Sequence, residues 1–392
     1  MLARHAADLL KRIASGFYVV ALVGPRQSGK TTLARLVFAD KPYVTLEDGE
    51  TRRLALGDPR GFLARFPAGA ILDEVQRAPE LLSYLQGLVD ARRVPGEWVV
   101  TGSQQFGLMS SITQSLAGRV GTLELLPLAW PETAPARSSA TGVTVEQAMW
   151  RGGYPALFDP ARQGIEPRLW WSGYVQTYIE RDVRQLLNVS DLGQFQRFVL
   201  MCAARSAQLL NLSALAADCG LAHTTARQWL TVLQASYLVT LLPPYFRNFG
   251  KRLVKMPKLY FLDTGLLCHL LRIADAESLR THAMRGAVFE TWVVSEVLKH
   301  RFNRGYAADL YFFRDNHGVE ADLIYQDPTG RLQVVELKSG ATFVPEWAGA
   351  ARRVAGYLGD QAAPEPLVVY GGRASYTHAG VRVLSWSKLG EP

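Results

Sequence analysis

At 392 residues the chain exceeds what one hydrophobic core comfortably organises, so two or three domains are expected. Its composition is that of a soluble globular protein: 48% hydrophobic, 20% charged, mean hydropathy +0.01. There is no low-complexity segment, no internal repeat and no apolar run near the roughly 18 residues that span a bilayer, which excludes fibrous, solenoid and membrane-spanning classes. A net charge of +8 and a pI near 9.4 make an acidic partner plausible, nucleic acid first. Cys202, Cys219 and Cys268 form no CxxC pair, so neither a zinc site nor a disulfide framework is indicated. That pattern suits a reducing cytosol. The opening MLARHAADLLKR reads as an amphipathic helix rather than a signal peptide, and a cytoplasmic location is expected.

An apolar run over residues 18–23 reads as a buried strand, breaks at Gly24-Pro25, and yields to a helical pattern after Thr31. Between them Gly24, Gly29, Lys30 and Thr31 fill G-x-x-x-x-G-K-[ST], a phosphate-binding loop. Each residue type has a physical task. Glycines let backbone N–H groups turn toward a triphosphate, and Lys30 brings a point charge to its β- and γ-phosphates. The Thr31 hydroxyl completes a magnesium shell, and the following helix aims its positive end at the same anion. Gly24, Pro25, Arg26, Gln27, Ser28, Gly29, Lys30, Thr31 and Thr32 are the expected nucleotide contacts, with ATP and Mg2+ as cofactors.

Residues 43–46 read as a short strand ending in Glu47-Asp48, and a polar helical stretch follows through Arg65. Ala70-Ile71-Leu72 then leads into Asp73-Glu74. An apolar strand ending in two acids suits a second ATPase motif, in which Asp73 holds magnesium through water and Glu74 polarises the attacking water. The plainer alternative is an acidic strand end on a solvated loop. The next strand, 98–100, ends in Thr101-Gly102-Ser103-Gln104, where Ser103 and Gln104 are candidates to orient that water. Residues 110–117 read as helical, and Gly118-Arg119 precedes a strand over 122–126. Arg119 is a candidate to carry charge to the γ-phosphate, in its own subunit or a neighbour's; capping a helix C-terminus is the alternative. These elements predict a mainly parallel α/β sheet with its site at the strands' C-terminal edge.

Residues 130–144 are rich in Pro, Ala, Ser and Thr and mark a soft boundary. Helical segments follow at 146–150 and 168–187, separated by the rigid turn RGGYP, and Arg151 and Arg181 are candidate nucleotide sensors or surface ion pairs. Residues 212–242 read as a winged helix-turn-helix: a helix at 213–218, a turn at Cys219-Gly220-Leu221, a second helix at 223–234, and a wing strand at 237–242. Its partner strand is 259–261. Between them Arg247, Lys251, Arg252, Lys255 and Lys258 stand with Phe246 and Phe249 and no acidic residue, which suits phosphate contact and base stacking. Arg227, Thr224, Thr225 and Gln228 on the second helix are the weaker base-reading set.

In the last third, a helix over 286–301 carries Glu290 and Glu296, strands follow at 310–313, 319–325 and 333–338, and a helix at 347–357 closes the frame. Asp322 at one strand start and Glu336-x-Lys338 at the next strand's end form a metal-dependent nuclease constellation. Asp322 and Glu336 are candidate magnesium ligands, Lys338 activates water or steadies the transition state, and Glu290 is a candidate further carboxylate. Alternation along a strand puts Glu336 and Lys338 on one face. A solvated hairpin whose charges pair with one another is the alternative.

Ten ordered stretches, GPRQSGKTT, ILDEVQ, VVTGSQQF, SLAGRV, RGGYP, YIERDV, KMPKLYFLDTGL, GAVFETWV, GVEADLI and VVELKSG, make the chain resemble the prokaryotic AAA-type (AAA_14-like) ATPases with a C-terminal DUF4143 domain. The resemblance implies an AAA+ ATPase core at 1–135 and a helical lid with winged-helix region at 136–275. It implies an α/β domain similar to the PD-(D/E)xK restriction endonucleases at 276–392. It carries ATP binding onto residues 24–32, and magnesium and hydrolysis roles onto Asp73 and Glu74. The expected activity is a Mg-dependent ATPase acting on DNA as a homo-oligomer. An ATP-gated nuclease and a nucleotide switch bound to a protein partner are the alternatives.

Overall fold

The computed structural model describes residues 2–103, 115–136, 142–159, 161, 165–179, 191–245 and 255–390. The chain divides into two compact units, one made of Met1–Leu128, Ala235–Tyr237 and Arg301–Ala307, the other of Ala129–Gln234, Leu238–His300 and Ala308–Pro392.

The first unit is built on a five-stranded sheet: β1 (Val19–Val23), β2 (Tyr43–Thr45), β3 (Ile71–Asp73), β4 (Trp98–Gly102) and β5 (Val120–Glu124). Their order is β2-β3-β4-β1-β5 and every pairing is parallel. A parallel sheet is covered on both faces, which is why β1 reads VVALV with no polar alternation and is buried throughout. Leu10 of the helix Ala7–Gly16 and Leu33 and Ala34 of the helix Lys30–Val37 close over Val20, Leu22, Ile71, Val99 and Leu123. Burying each such leucine stabilises the fold by about 1.5–3 kcal/mol. Register pairs Val23 with both Gly102 and Glu124, and Leu72 with Val100. The ends of β1, β3 and β4 therefore open onto one edge, where the phosphate loop begins.

The second unit contains two sheets. Strands β6 (Gln208–Leu209), β7 (Val239–Leu242) and β8 (Lys258–Phe261) form an antiparallel sheet with β8 in the middle. Beside it the helices Leu212–Asp218 and His223–Ala235 meet through a turn at Gly220, which takes a left-handed φ of 66°. The larger sheet has strands β9 (Leu310–Arg314), β10 (Glu320–Gln326), β11 (Leu332–Lys338), β12 (Leu367–Tyr370), β13 (Tyr376–His378) and β14 (Val381–Ser385), in the order β13-β14-β12-β11-β10-β9. It is mixed: β9, β10 and β11 run antiparallel, while β11, β12 and β14 are parallel. Ala351, Val354 and Leu358 of the helix Trp347–Leu358 pack over Phe313, Ala321, Ile324 and Val334.

Apart from residues 235–237 and 301–307, the stretches 136–275 and 276–392, read from the sequence as separate domains, fall in this one compact unit. The backbone shows why: the Tyr245 N–H donates to the Phe312 carbonyl at 2.7 Å, and the Phe312 N–H to the Pro243 carbonyl at 3.2 Å. The expected helix at 168–187 is described as Pro167–Tyr174 and a wider turn over Val175–Ile179; Arg181 lies outside the described residues. Among the described residues, no helix is long and apolar enough to cross a membrane. All three cysteines are buried free thiols.

Candidate active site

The phosphate loop is shaped by two glycines. Gly24 has φ 147° and Gly29 φ 95°, and a Cβ on Gly24 would stand 2.2 Å from the Leu125 carbonyl oxygen. Only glycine fits so close to a neighbouring strand end. The helix Lys30–Val37 starts with no side chain capping its first N–H groups, the arrangement an anion can complete. Lys30 is 5% exposed, and its ammonium donates to the carbonyls of Gly24 (2.9 Å) and Pro25 (2.7 Å). Burial pulls its pKa down to about 8, against the opposing pull of Glu74 and Asp73. The Ser28 hydroxyl is fully buried with no hydrogen-bond partner among the described residues. Arg4, which the sequence reading passed over, holds the loop from outside: its guanidinium donates to the Ser28 and Leu126 carbonyls, both at 2.7 Å.

Asp73, at the end of β3, is 6% exposed and sits among hydroxyls. One carboxylate oxygen accepts from Thr31 at 2.8 Å and from Thr101, and the other accepts from Tyr43 at 2.8 Å. Partial burial and the Asp73 carboxylate push the Tyr43 phenol up to about 12. Thr31 joined to Asp73 is a set of hard oxygen donors that fits Mg2+. Tyr43 and Thr101 come from neighbouring strands, and nothing in their local sequence marks them. The parallel order β2-β3-β4 is the signal that could have found them, since it sets Tyr43 and Thr101 on either side of Asp73.

Glu74 follows in a left-handed conformation (φ 57°, ψ 46°). Such a position costs a non-glycine residue about 1–3 kcal/mol. Its N–H donates to the Thr101 hydroxyl at 3.3 Å. One carboxylate oxygen accepts from the Ser103 hydroxyl at 3.1 Å and from the Gln76 amide, which also donates to Ser103 at 3.2 Å. Ser103 thus meets Glu74 as expected of a strand-tip residue. Gln104 lies outside the described residues.

Arg119 needs correcting as a charge for its own subunit's γ-phosphate. Its carbonyl accepts from the Val19 N–H, so it sits at the start of β1 and β5 while the loop leaves the end of β1. Five residues of strand at about 3.3 Å each separate the two edges. Its guanidinium instead pairs with Asp90 at 2.5 and 2.9 Å. In the second unit Arg151 lies 4.8 Å over the Phe158 ring.

A second polar centre joins β8, β10, β11 and the helix Arg285–Arg304 of the second unit. It gathers Glu290, Asp322, Glu336 and Lys338, as the sequence suggested, but also Glu320, Tyr260 and Lys258. The Lys258 ammonium lies 3.0 Å from Glu290, 2.8 Å from Glu320 and 3.8 Å from Asp322. Tyr260 donates to Glu290 at 2.6 Å, the Leu337 N–H to Asp322 at 2.8 Å, and Lys338 to Glu336 at 2.5 Å. Burial, with the Asp322 charge beside them, raises both Glu290 and Glu336 to about 7. Burial alone would lower Lys258, but Glu290, Asp322 and Glu320 outweigh it and hold the ammonium protonated. Lys258 is therefore not one of the wing's solvent-facing cations: it is 4% exposed. Of the remaining wing and helix cations, Lys255 and Arg227 are exposed, and Arg247, Lys251 and Arg252 lie outside the described residues.

Comparison with known proteins divides the chain into three blocks. Residues 16–134 match the AAA domain family, 143–277 a domain of unknown function (DUF8612), and 285–389 a domain of unknown function (DUF4143). Uncharacterized proteins of Mycobacterium bovis and Mycobacterium tuberculosis are each 35% identical over 341 residues, covering 86% of this chain and 74% of theirs. Among solved structures, a Walker-type ATPase of Pyrococcus abyssi matches at 13% identity over 68% of this chain and 94% of that one, with a TM-score of 0.46. The RuvB Holliday junction branch migration motor of Thermotoga maritima matches at 18% identity over 61% and 86%, with a TM-score of 0.30.

Proposed function

We propose that this chain, which belongs to the family of AAA-type ATPases with a C-terminal DUF4143 domain, is a Mg2+-dependent ATP hydrolase whose turnover is coupled to nucleic acid, DNA first. The observation that carries the hydrolase reading is the joining of the phosphate loop to two successive acids. Thr31 is hydrogen-bonded to Asp73, and Glu74 is steered by Ser103 and Gln76. Lys30 binds β- and γ-phosphate oxygens, and Thr31 and Asp73 hold the metal. When bound, Mg2+ supplies charge neutralisation at the transferring phosphoryl group. Ser103 and Gln76 occupy one Glu74 carboxylate oxygen, which leaves the other to accept a proton from water.

Nucleic-acid coupling rests on charge and on one exposed face. The chain carries +8, and Thr224, Arg227, Gln228 and Thr231 are all exposed on the helix His223–Ala235 at three- and four-residue spacing. In this reading the two helices and the β7–β8 hairpin work as a winged helix.

The test is ATP hydrolysis by the purified protein alone and with single-stranded, duplex or branched DNA. Marked stimulation by one of them, fading as salt rises, is expected. Turnover indifferent to all three would transfer the reading to a switch that answers to a protein partner. Turnover unaltered in Glu74→Gln would remove the hydrolytic assignment.

A further inference from the structure

The restriction-endonuclease-like reading of the C-terminal sheet implies a divalent metal held by Asp322 and Glu336, and the residues present do not fit one. What the carboxylates converge on is an ammonium.

We propose that Lys258 is the resident cation of this centre, seated where a divalent metal would need to stand and closing it to metal. Three observations carry the inference. First, one ammonium lies within 4 Å of three carboxylates: 2.8 Å from Glu320, 3.0 Å from Glu290 and 3.8 Å from Asp322. Second, its backbone is not free to withdraw. Lys258 lies on the central strand of its sheet, in register with Leu209 on one side and Leu242 on the other. Third, one oxygen of each of the two expected metal ligands is already engaged. Asp322 accepts the Leu337 N–H on one oxygen, and Glu336 is paired through one oxygen with Lys338. The other Glu336 oxygen is buried without a partner, so the centre still carries more acceptors than protons to fill them.

Electrostatics explains why a lysine belongs there. Four buried or half-buried carboxylates, Glu290, Glu320, Asp322 and Glu336, share one cluster, and Lys338 on Glu336 with Arg314, 3.6 Å from Glu320, leaves two of them without a cation. A buried like-charge cluster is costly unless a cation is supplied, and a tethered ammonium supplies it without any loss of a free ion's entropy. The Phe312 ring, 5.5 Å from the ammonium, covers it from another side. A divalent ion entering this cluster must first displace the Lys258 ammonium from its three carboxylates.

The experiment is Mn2+ titration of the nucleotide-free full-length protein by calorimetry, comparing wild type, Asp322→Asn, Lys258→Met and the Lys258→Met/Asp322→Asn pair. Wild type and Asp322→Asn are expected to give the same isotherm, because Asp322 binds no Mn2+ while Lys258 is in place. Lys258→Met is expected to gain one Mn2+ site per chain, lost again in the double variant. A wild-type site that disappears in Asp322→Asn overturns the proposal, as does a folded Lys258→Met protein that gains none. Should Lys258→Met fail to fold, the wild type and Asp322→Asn pair still decides the matter.

Discussion

Two of the buried carboxylate centres, that of Asp73 in one unit and that of Asp322 in the other, are solved in opposite ways. Asp73 is surrounded by three hydroxyls, from Thr31, Tyr43 and Thr101, and the nearby Lys30 ammonium rests on backbone carbonyls instead. Asp322 shares its cluster with the ammonium of Lys258 and lies beside the Glu336–Lys338 pair. Hydroxyl dipoles stabilise a negative charge while leaving it uncancelled, so the first centre still attracts a cation. An ammonium cancels it. The contrast teaches that an acid at a strand end is not a metal site by virtue of its spacing; what matters is whether its partners are dipoles or ions.

The sharpest way to break this contrast is to remove the first centre's cation. Lys30→Ala is expected to lower ATP turnover by about 10²–10³-fold, the usual loss when a pre-organised donor is deleted from a transition-state site. A steady-state assay that finds near-normal turnover refutes the role of the loop. A gentler probe is pH. The Lys30 pKa of about 8 lies below its unfolded value, so the charged form that greets phosphate is lost as pH rises through that value. ATP affinity is then expected to fall by up to about tenfold per pH unit above 8, because binding takes up a proton. Nucleotide titrations at pH 7, 8 and 9 measure it, and a flat profile counts against a depressed lysine.

The second centre has the opposite sign. Glu290 and Glu336 are raised from 4.5 to about 7, so the folded chain holds their protons longer than the unfolded chain. The stability this gives is present below about 4.5 and is lost as pH rises toward 7. Glu290→Gln, which keeps the shape without the charge, is therefore expected to gain in melting temperature relative to wild type between pH 5 and 7. A constant offset between the two proteins would show that Glu290 does not titrate in this window. The smallest effect expected is at Tyr43→Phe. Losing one hydrogen bond to Asp73, worth about 1 kcal/mol, should weaken Mg·ATP binding by roughly fivefold with little change in the maximal rate. A larger loss in rate than in affinity would move Tyr43 from holding Asp73 to a part in the chemistry.

The contrast also marks where sequence stops being informative. The phosphate loop is legible because its parts are contiguous: the chain must turn, donate and start a helix within eight residues, and GPRQSGKT spells that out. Asp73 and Glu74 are legible because a buried strand ending in two acids is costly without a purpose. Tyr43, Thr101 and Arg4 were silent, since strand order alone brings them to the site. For Arg119, parallel topology could have removed the own-subunit role: a residue at the start of a parallel strand lies at the edge opposite a loop that follows a strand end. Lys258 was misassigned because a lysine in a basic stretch looks solvated. Only the three acids it meets, 32, 62 and 64 residues further along, show that it is not.

Arg4 has a mechanical meaning. Its rigid fork grips the backbone of the phosphate loop at Ser28 with one tine and that of Leu126 with the other. Leu126 stands two residues before the chain leaves the first unit at Leu128. A planar guanidinium with both ends fixed behaves as a tie rod, so the loop cannot shift without tugging the segment that leads out of its own unit. Two hydrogen bonds thus tie the phosphate loop to the segment leading out of its unit, through a side chain that belongs to no recognised motif.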